Sequence, residues 1–187
     1  MTLRRLYELP FLALLALAAA CSDGSDPIGG GPGGSLAFSH AGTGEAPTRW
    51  ETFGTGQTND PDADWALAIF DGVTLGVSAN RRTAGNKHDE VAIGIADPAT
   101  QSVYTVGDCE TCAVVNFTFG QVGHESNFER ACTLTAGTLK LTEYSEDRAK
   151  GTFSGTGTCF HTPGEEPDAF TVTNGSFDVA IHETTPV

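Results

Sequence analysis

Positive charge is scarce in this chain. Ten Lys and Arg stand against 24 Asp and Glu in 187 residues, a formal net charge of -14, so nucleic acid and anionic lipid surfaces repel it. The plain meaning of that balance is a solvated acidic surface. Reaction motifs are missing too. Gly-x-Ser-x-Gly does not occur, and Gly151-Thr152-Phe153-Ser154-Gly155 has its serine one place late, inside a strand pattern. No pair among His40, His88, His124, His161 and His182 has His-Glu-x-x-His spacing, which reads them as surface residues. After residue 20 no segment sustains a helical period, and that excludes helical bundles and α/β folds.

What is present begins with a targeting segment. Arg4 and Arg5 precede an apolar run, Phe11-Leu12-Ala13-Leu14-Leu15-Ala16-Leu17, which ends in Ala18-Ala19-Ala20-Cys21. Residues 1–20 are too short and too rich in small residues to span a bilayer, and they read as a signal peptide. Small residues leading into a cysteine resemble the lipobox of bacterial lipoproteins, with Leu17 one place earlier than the family's usual leucine. The resemblance implies cleavage before Cys21, lipidation of its thiol and, with Ser22 in place of Asp, anchoring in the outer membrane of a two-membraned envelope. Residues 21–35 are rich in Gly, Ser and Pro and form a tether spanning roughly 20 Å. Without Arg4, Arg5 and Glu8 the remaining chain has 8 basic and 23 acidic residues, net -15.

Residues 36–187 suffice for one domain that buries roughly two thirds of its unfolded surface. Alternation marks its strands. Trp50 to Phe53 is a short one; Trp65, Leu67 and Ile69 alternate, Phe70-Asp71-Gly72 turns the chain, and Val73, Leu75 and Val77 alternate again. A three-residue loop with Gly72 left-handed sets Ile69 against Val73 and all six apolar residues on the core face. Asn80 to Glu90 reads as a polar loop. Val91, Ile93 and Ile95 follow, then a turn at Asp97-Pro98-Ala99-Thr100, with Gln101 to Val106 as the partner strand. Ala113 to Phe119 alternates as well.

Thr138 to Tyr144 and Ala149 to Phe160 form a hairpin in which Leu141 faces Phe153 or Gly151, with an odd loop of about five residues to keep phase. Thr135-Ala136-Gly137 is a candidate bulge. Gly151, Gly155 and Gly157 share the core phase, so either another layer approaches closely or the strand bends. At Asn174-Gly175 a two-residue hairpin turn competes with a bulge inside one continuous strand. The fold expected is all-β, an antiparallel sandwich or partly closed barrel of nine or ten strands.

The four cysteines beyond Cys21 suit two disulfides in an oxidising compartment. Cys132 and Cys159 lie on paired strands, which leaves Cys109 with Cys112. Cys109-Glu110-Thr111-Cys112 also permits redox or zinc readings, but a strand rather than a helix follows it and residue 113 is not His. Asp60, Asp62 and Asp64, with Asp71 beyond, carry oxygen ligands at alternate positions and are a calcium candidate, although Trp65 stands where an EF-hand loop needs Gly. No other cofactor is implied. Tyr144, on the outer phase with Lys140 and Thr142, is the candidate ligand-facing aromatic.

The succession of tethering cysteine, Gly-rich linker, strand-Asp-Gly-strand pair and Gly-Thr-Phe-Ser-Gly strand followed by Asn-Gly-Ser-Phe-Asp-Val resembles small bacterial envelope lipoproteins with a β-rich domain. The resemblance implies a fold and an address and brings no catalytic residue. Function is therefore expected to be a non-catalytic binding or structural module on the membrane. An envelope protein or small molecule would be its partner. A lipocalin-like carrier of an apolar ligand is the alternative, and a thiol- or metal-dependent enzyme the third reading.

Overall fold

In the computed structural model the described residues are 33–54, 63–122, 127–161 and 166–183. They contain ten strands: β1 (Gly34–Gly42), β2 (Thr48–Gly54), β3 (Trp65–Phe70), β4 (Thr74–Arg82), β5 (Lys87–Ala96), β6 (Val103–Val106), β7 (Val114–Val122), β8 (Arg130–Tyr144), β9 (Arg148–Phe160) and β10 (Asp168–Glu183). Seven of them close a ring in the order β10, β3, β4, β5, β7, β8, β9 and back to β10. Every contact in the ring is antiparallel except the closing one, where Ile181, His182 and Glu183 run parallel to Ala68, Ile69 and Phe70. The alternative between sandwich and barrel is thus resolved as a barrel. Closure removes the sheet edges within the ring.

Outside the ring, β1 pairs with β10 over Phe170–Asp178 and carries β2 on its far side. The first of these strands starts at Gly34, inside the stretch that composition assigns to the tether. Gly34 is a wall residue: a Cβ there would lie 2.1 Å from the Ala66 carbonyl oxygen.

Registers decide which residues face inward, and two differ from the sequence expectation. Four residues, Asp71 to Thr74, separate the last paired residues of β3 and β4, because the Asp71 carboxylate accepts from the Val73 and Thr74 N–H groups at 2.9 and 2.7 Å. Phe70 then pairs with Leu75 and Ala68 with Val77. This odd shift turns β3 over, so Ala66 and Ala68 enter the core cluster while Trp65 and Leu67 are buried outside it. Gly72 does adopt a positive φ of 94°. The second difference is β6, which pairs with β8 and not with β5. Thr100 Oγ1 and Gln101 Nε2 donate to the Tyr144 and Thr142 carbonyls at 2.9 and 2.6 Å and fasten the turn to β8.

Bulges set the remaining phases. In the β8–β9 hairpin Leu141 opposes Gly151 and Leu139 opposes Phe153, with the phase restored by register shifts at Thr135 and Thr142 and with four residues between the paired Tyr144 and Ala149, where about five are expected. The Thr135 shift is the bulge read from sequence. At Asn174-Gly175 the chain does not turn; β10 continues through it, Asn174 takes a φ of 53°, and the two residues oppose Phe38 on β1. One extra residue returns Phe170 and Val172 to the same face as Phe177 and Val179.

Aromatic side chains fill the interior. Phe38 stacks on Trp50 at 5.1 Å and meets Phe117 at 5.0 Å, and Phe117 meets Phe170 edge-on at 5.2 Å. Each of these rings is almost wholly buried, which contributes on the order of 2–3 kcal/mol apiece. Glycines of β9 leave no vacant room. The Phe177 ring occupies the Cβ position of Gly151 at 2.4 Å, and the Thr133 carbonyl that of Gly157 at 1.9 Å. The close approach is by the paired neighbours β8 and β10 within the sheet, not by the other layer expected from the sequence.

Candidate functional site

The polar residues of the barrel gather on the core-facing phase at one end. His40 follows Leu36 and Phe38 in phase; Arg81 follows Val77 and Ala79; Lys87 and Asp89 precede Val91 and Ile93; Arg130 precedes Cys132 and Leu134; His161 follows Cys159. In each strand the inward row changes from apolar to ionisable at the same end of the ring. They line an open depression of about 440 Å³ together with Thr48, Thr83, Phe119, Gly120 and Glu129. It is the mouth of the barrel above the aromatic interior.

Asp89 organises this mouth. The residue is 5% exposed, and its carboxylate takes donors from three strands: Arg81 Nη2 at 2.7 Å and Trp50 Nε1 at 3.1 Å on Oδ2, and the Gly120 N–H at 3.0 Å on Oδ1. The last bond follows from a bulge. Phe119 and Gly120 of β7 together oppose Asp89 of β5, and Gly120 takes a φ of 67°, a region open to glycine at little cost. That conformation sends its N–H inward. A buried carboxylate with this many donors, one of them a guanidinium, ties β2, β4 and β7 to β5.

Two arginines lie on rings. Arg81 covers Trp50 at 5.1 Å, and Arg130 covers Phe119 at 4.8 Å and Phe170 at 5.7 Å. Such cation–π contacts attract a guanidinium to the ring. Between them His40 packs against Phe119, Phe38 and Phe170 at 5.0, 5.7 and 5.7 Å. Burial, then the charges of Arg130 and Arg81, hold its imidazole below the ordinary range, against the pull of Asp89 and Glu45. Among the described residues, His40 Nδ1 and Arg81 Nε are buried without a hydrogen-bond partner. At the rim Lys87 pairs with Glu129, and His161 Nε2 lies 2.9 Å from Asp168.

Other positions singled out by sequence lie elsewhere. Both disulfides are formed as paired from the sequence, Cys132 with Cys159 and Cys109 with Cys112. The first is buried between directly opposed residues of β8 and β9; the second closes the short loop by which β6 passes into β7, with Cys109 exposed. Cys21, Asp60 and Asp62 fall outside the described residues. Asp64 Oδ1 accepts the N–H of Arg82, the last residue of β4, at 2.6 Å, and Asp71 is committed to the β3–β4 connection, whose N–H groups hold its carboxyl below the usual range. Tyr144 is no open platform: it is half-buried and meets Phe70 edge-on at 5.9 Å.

The expectation of surface histidines fails for two of them. His88 is 2% exposed beside Glu90, and His40 lines the mouth; His124 lies outside the described residues. Asn80 to Glu90, expected as a polar loop, is strand to Arg82 and from Lys87 onward, because its polar side chains face the mouth and one another. Sequence reasoning missed His40, Arg81, Asp89 and Arg130. The readable signal was their phase, an ionisable residue one step beyond an inward apolar row in five strands.

Comparison with family models, with curated proteins and with solved structures finds no match for this chain.

Proposed function

We propose that this chain is a lipid-anchored envelope protein whose barrel is a non-catalytic binding module, with the mouth as its ligand site. The observation that carries the reading is the collection of ionisable residues on the inward phase at one open end of an otherwise aromatic interior. A polar recess on a rigid floor suits recognition of a small polar group. The address rests on Arg4, Arg5, the apolar run and Cys21.

The rival reading, a carrier of an apolar ligand, needs a hollow barrel. Phe38, Phe117, Phe153 and Phe170 occupy the space such a ligand would take, and this weighs against it.

Two experiments test the proposal. Cells expressing the chain are fed a palmitate analogue: wild type takes up label and Cys21→Ala does not, whereas an unlabelled wild type ends the anchoring reading. A panel of neutral, cationic and anionic fragments is then screened through the histidine ring NMR signals of the purified chain. Saturable shifts at His40 are expected. A panel that leaves the mouth signals in place overturns the binding site, and an environment-sensitive apolar dye that binds stoichiometrically in the interior restores the carrier.

A further inference from the structure

We infer that the ligand of the mouth is an anion, the carboxylate or phosphate group of a small organic molecule, held in the plane of the Arg130 guanidinium with Arg81 beside it. This rests on the binding-module reading and adds the chemical class of the ligand.

Charge distribution is the first argument. Of the eight basic residues beyond Arg4 and Arg5, five (Arg49, Arg81, Arg82, Lys87 and Arg130) stand at the mouth end of their strands, and Lys140, Arg148 and Lys150 lie toward the other end. The lining carries Arg81, Lys87 and Arg130 against Asp89 and Glu129, a cationic excess focused at one opening of a chain of net charge -14. Such focusing raises the local concentration of anions.

The pairing of those charges is the second. Arg81 is answered by Asp89, Lys87 by Glu129 and Asp168 by His161. Arg130 has no ion pair among the described residues, and it is not stretched into solvent: it is half-buried and laid over Phe119 and Phe170. A guanidinium placed over rings and without a carboxylate partner retains N–H donors, and a carboxylate or phosphate accepts from such a group in bidentate fashion.

The third is the buried polar atoms. Arg81 Nε and His40 Nδ1, both on lining residues, have no partner among the described residues, and buried polar groups are seldom left so. An oxyanion supplies the acceptor that Arg81 Nε–H needs, and His40 can turn a ring N–H toward it. Burial first, and then the charges of Arg130 and Arg81, hold His40 toward its neutral form, and all three residues line the one depression.

The test is calorimetric titration of the purified full chain with inorganic phosphate and, separately, with benzoate, each against sodium chloride at equal ionic strength. At least one probe is expected to bind saturably in the millimolar range or below. Arg130→Gln should weaken that binding about tenfold or more, Arg130→Lys by an intermediate factor, and Lys150→Gln not at all. Dispersed NMR spectra of the variants establish that each is folded, and Arg130→Lys keeps the test open if Arg130→Gln is not. Phosphate binding alone points to a phosphorylated ligand, benzoate binding alone to a carboxylic acid.

Heats that chloride reproduces, or that persist in Arg130→Gln, overturn the inference. If neither anion binds while neutral or cationic fragments shift the His40 signals, the inference falls and the binding module stands; if nothing shifts them, both fall.

Discussion

Arg81 Nη2 sits 2.7 Å from Asp89 Oδ2, and the partners are unequal: the Asp89 side chain is 7% exposed and that of Arg81 29%. The carboxylate is the buried member, with Trp50 and Gly120 as further donors. Removing it strands three donors, whereas removing the arginine strands one carboxylate that keeps two. Asp89→Ala is therefore expected to cost about 3–4 kcal/mol and Arg81→Met about half as much, measured by urea unfolding. Equal losses would deny Asp89 its central place.

His40 gives a pH prediction of definite sign. Its ordinary value is 6.5 and the folded environment lowers it, so the unfolded chain takes up a proton first as pH falls. The stability it contributes is complete above about 6.5 and is lost as pH drops below that toward the folded value. NMR titration should place the His40 midpoint below that of a free histidine, and Arg130→Gln should raise it. A midpoint unmoved by that change would remove Arg130 from its surroundings.

The two disulfides differ in burial and in span. Cys132 and Cys159 are nearly inaccessible and 27 residues apart; Cys109 is exposed and three residues from Cys112. Mild reductant followed by alkylation and mass spectrometry should label Cys109 and Cys112 first. Replacing Cys132 and Cys159 with Ser should cost roughly 3–4 kcal/mol, against about 2 for the short loop, on chain-entropy grounds. The reverse order of labelling would contradict the assignment of the buried pair.

Glycine placement supplies a paired test. A methyl group on Gly157 would lie 1.9 Å from the Thr133 oxygen, while one on Gly76 meets nothing nearer than the Ile69 oxygen at 3.8 Å. Thermal unfolding should show Gly157→Ala to be destabilised by about 3 kcal/mol and Gly76→Ala to lie within ~0.5 kcal/mol of wild type. Similar effects would mean that β8 and β9 are not in this close register.

Much of this fold was legible in the sequence, and the failures have identifiable causes. Alternation located most of the sheet, and the parity of Cys132 and Cys159 was recovered together with the Thr135 bulge. The β3–β4 register was not, since an Asp side chain binding two successive N–H groups lengthens a turn by one residue and reverses a face without changing the apolar pattern. Nor was β6, whose partner is set by side-chain bonds from Thr100 and Gln101 to a strand about forty residues away. The site was hidden for a simpler reason. Polar residues at strand ends look like loop, and only a closed ring reveals that His40, Arg81, Asp89 and Arg130 point into one opening.

The closing strand carries a consequence for biogenesis. β10 pairs with β1, with β9 and, through Ile181 to Glu183, with β3, so β1 and β3, already paired with β2 and β4, wait for Asp168 to Glu183 before they have a second neighbour. A ring that can be fastened only by long-range contacts folds late. Until β10 arrives the ring stays open, and the arrival of one segment then fastens the wall and brings Phe170 beneath Arg130 at the opening.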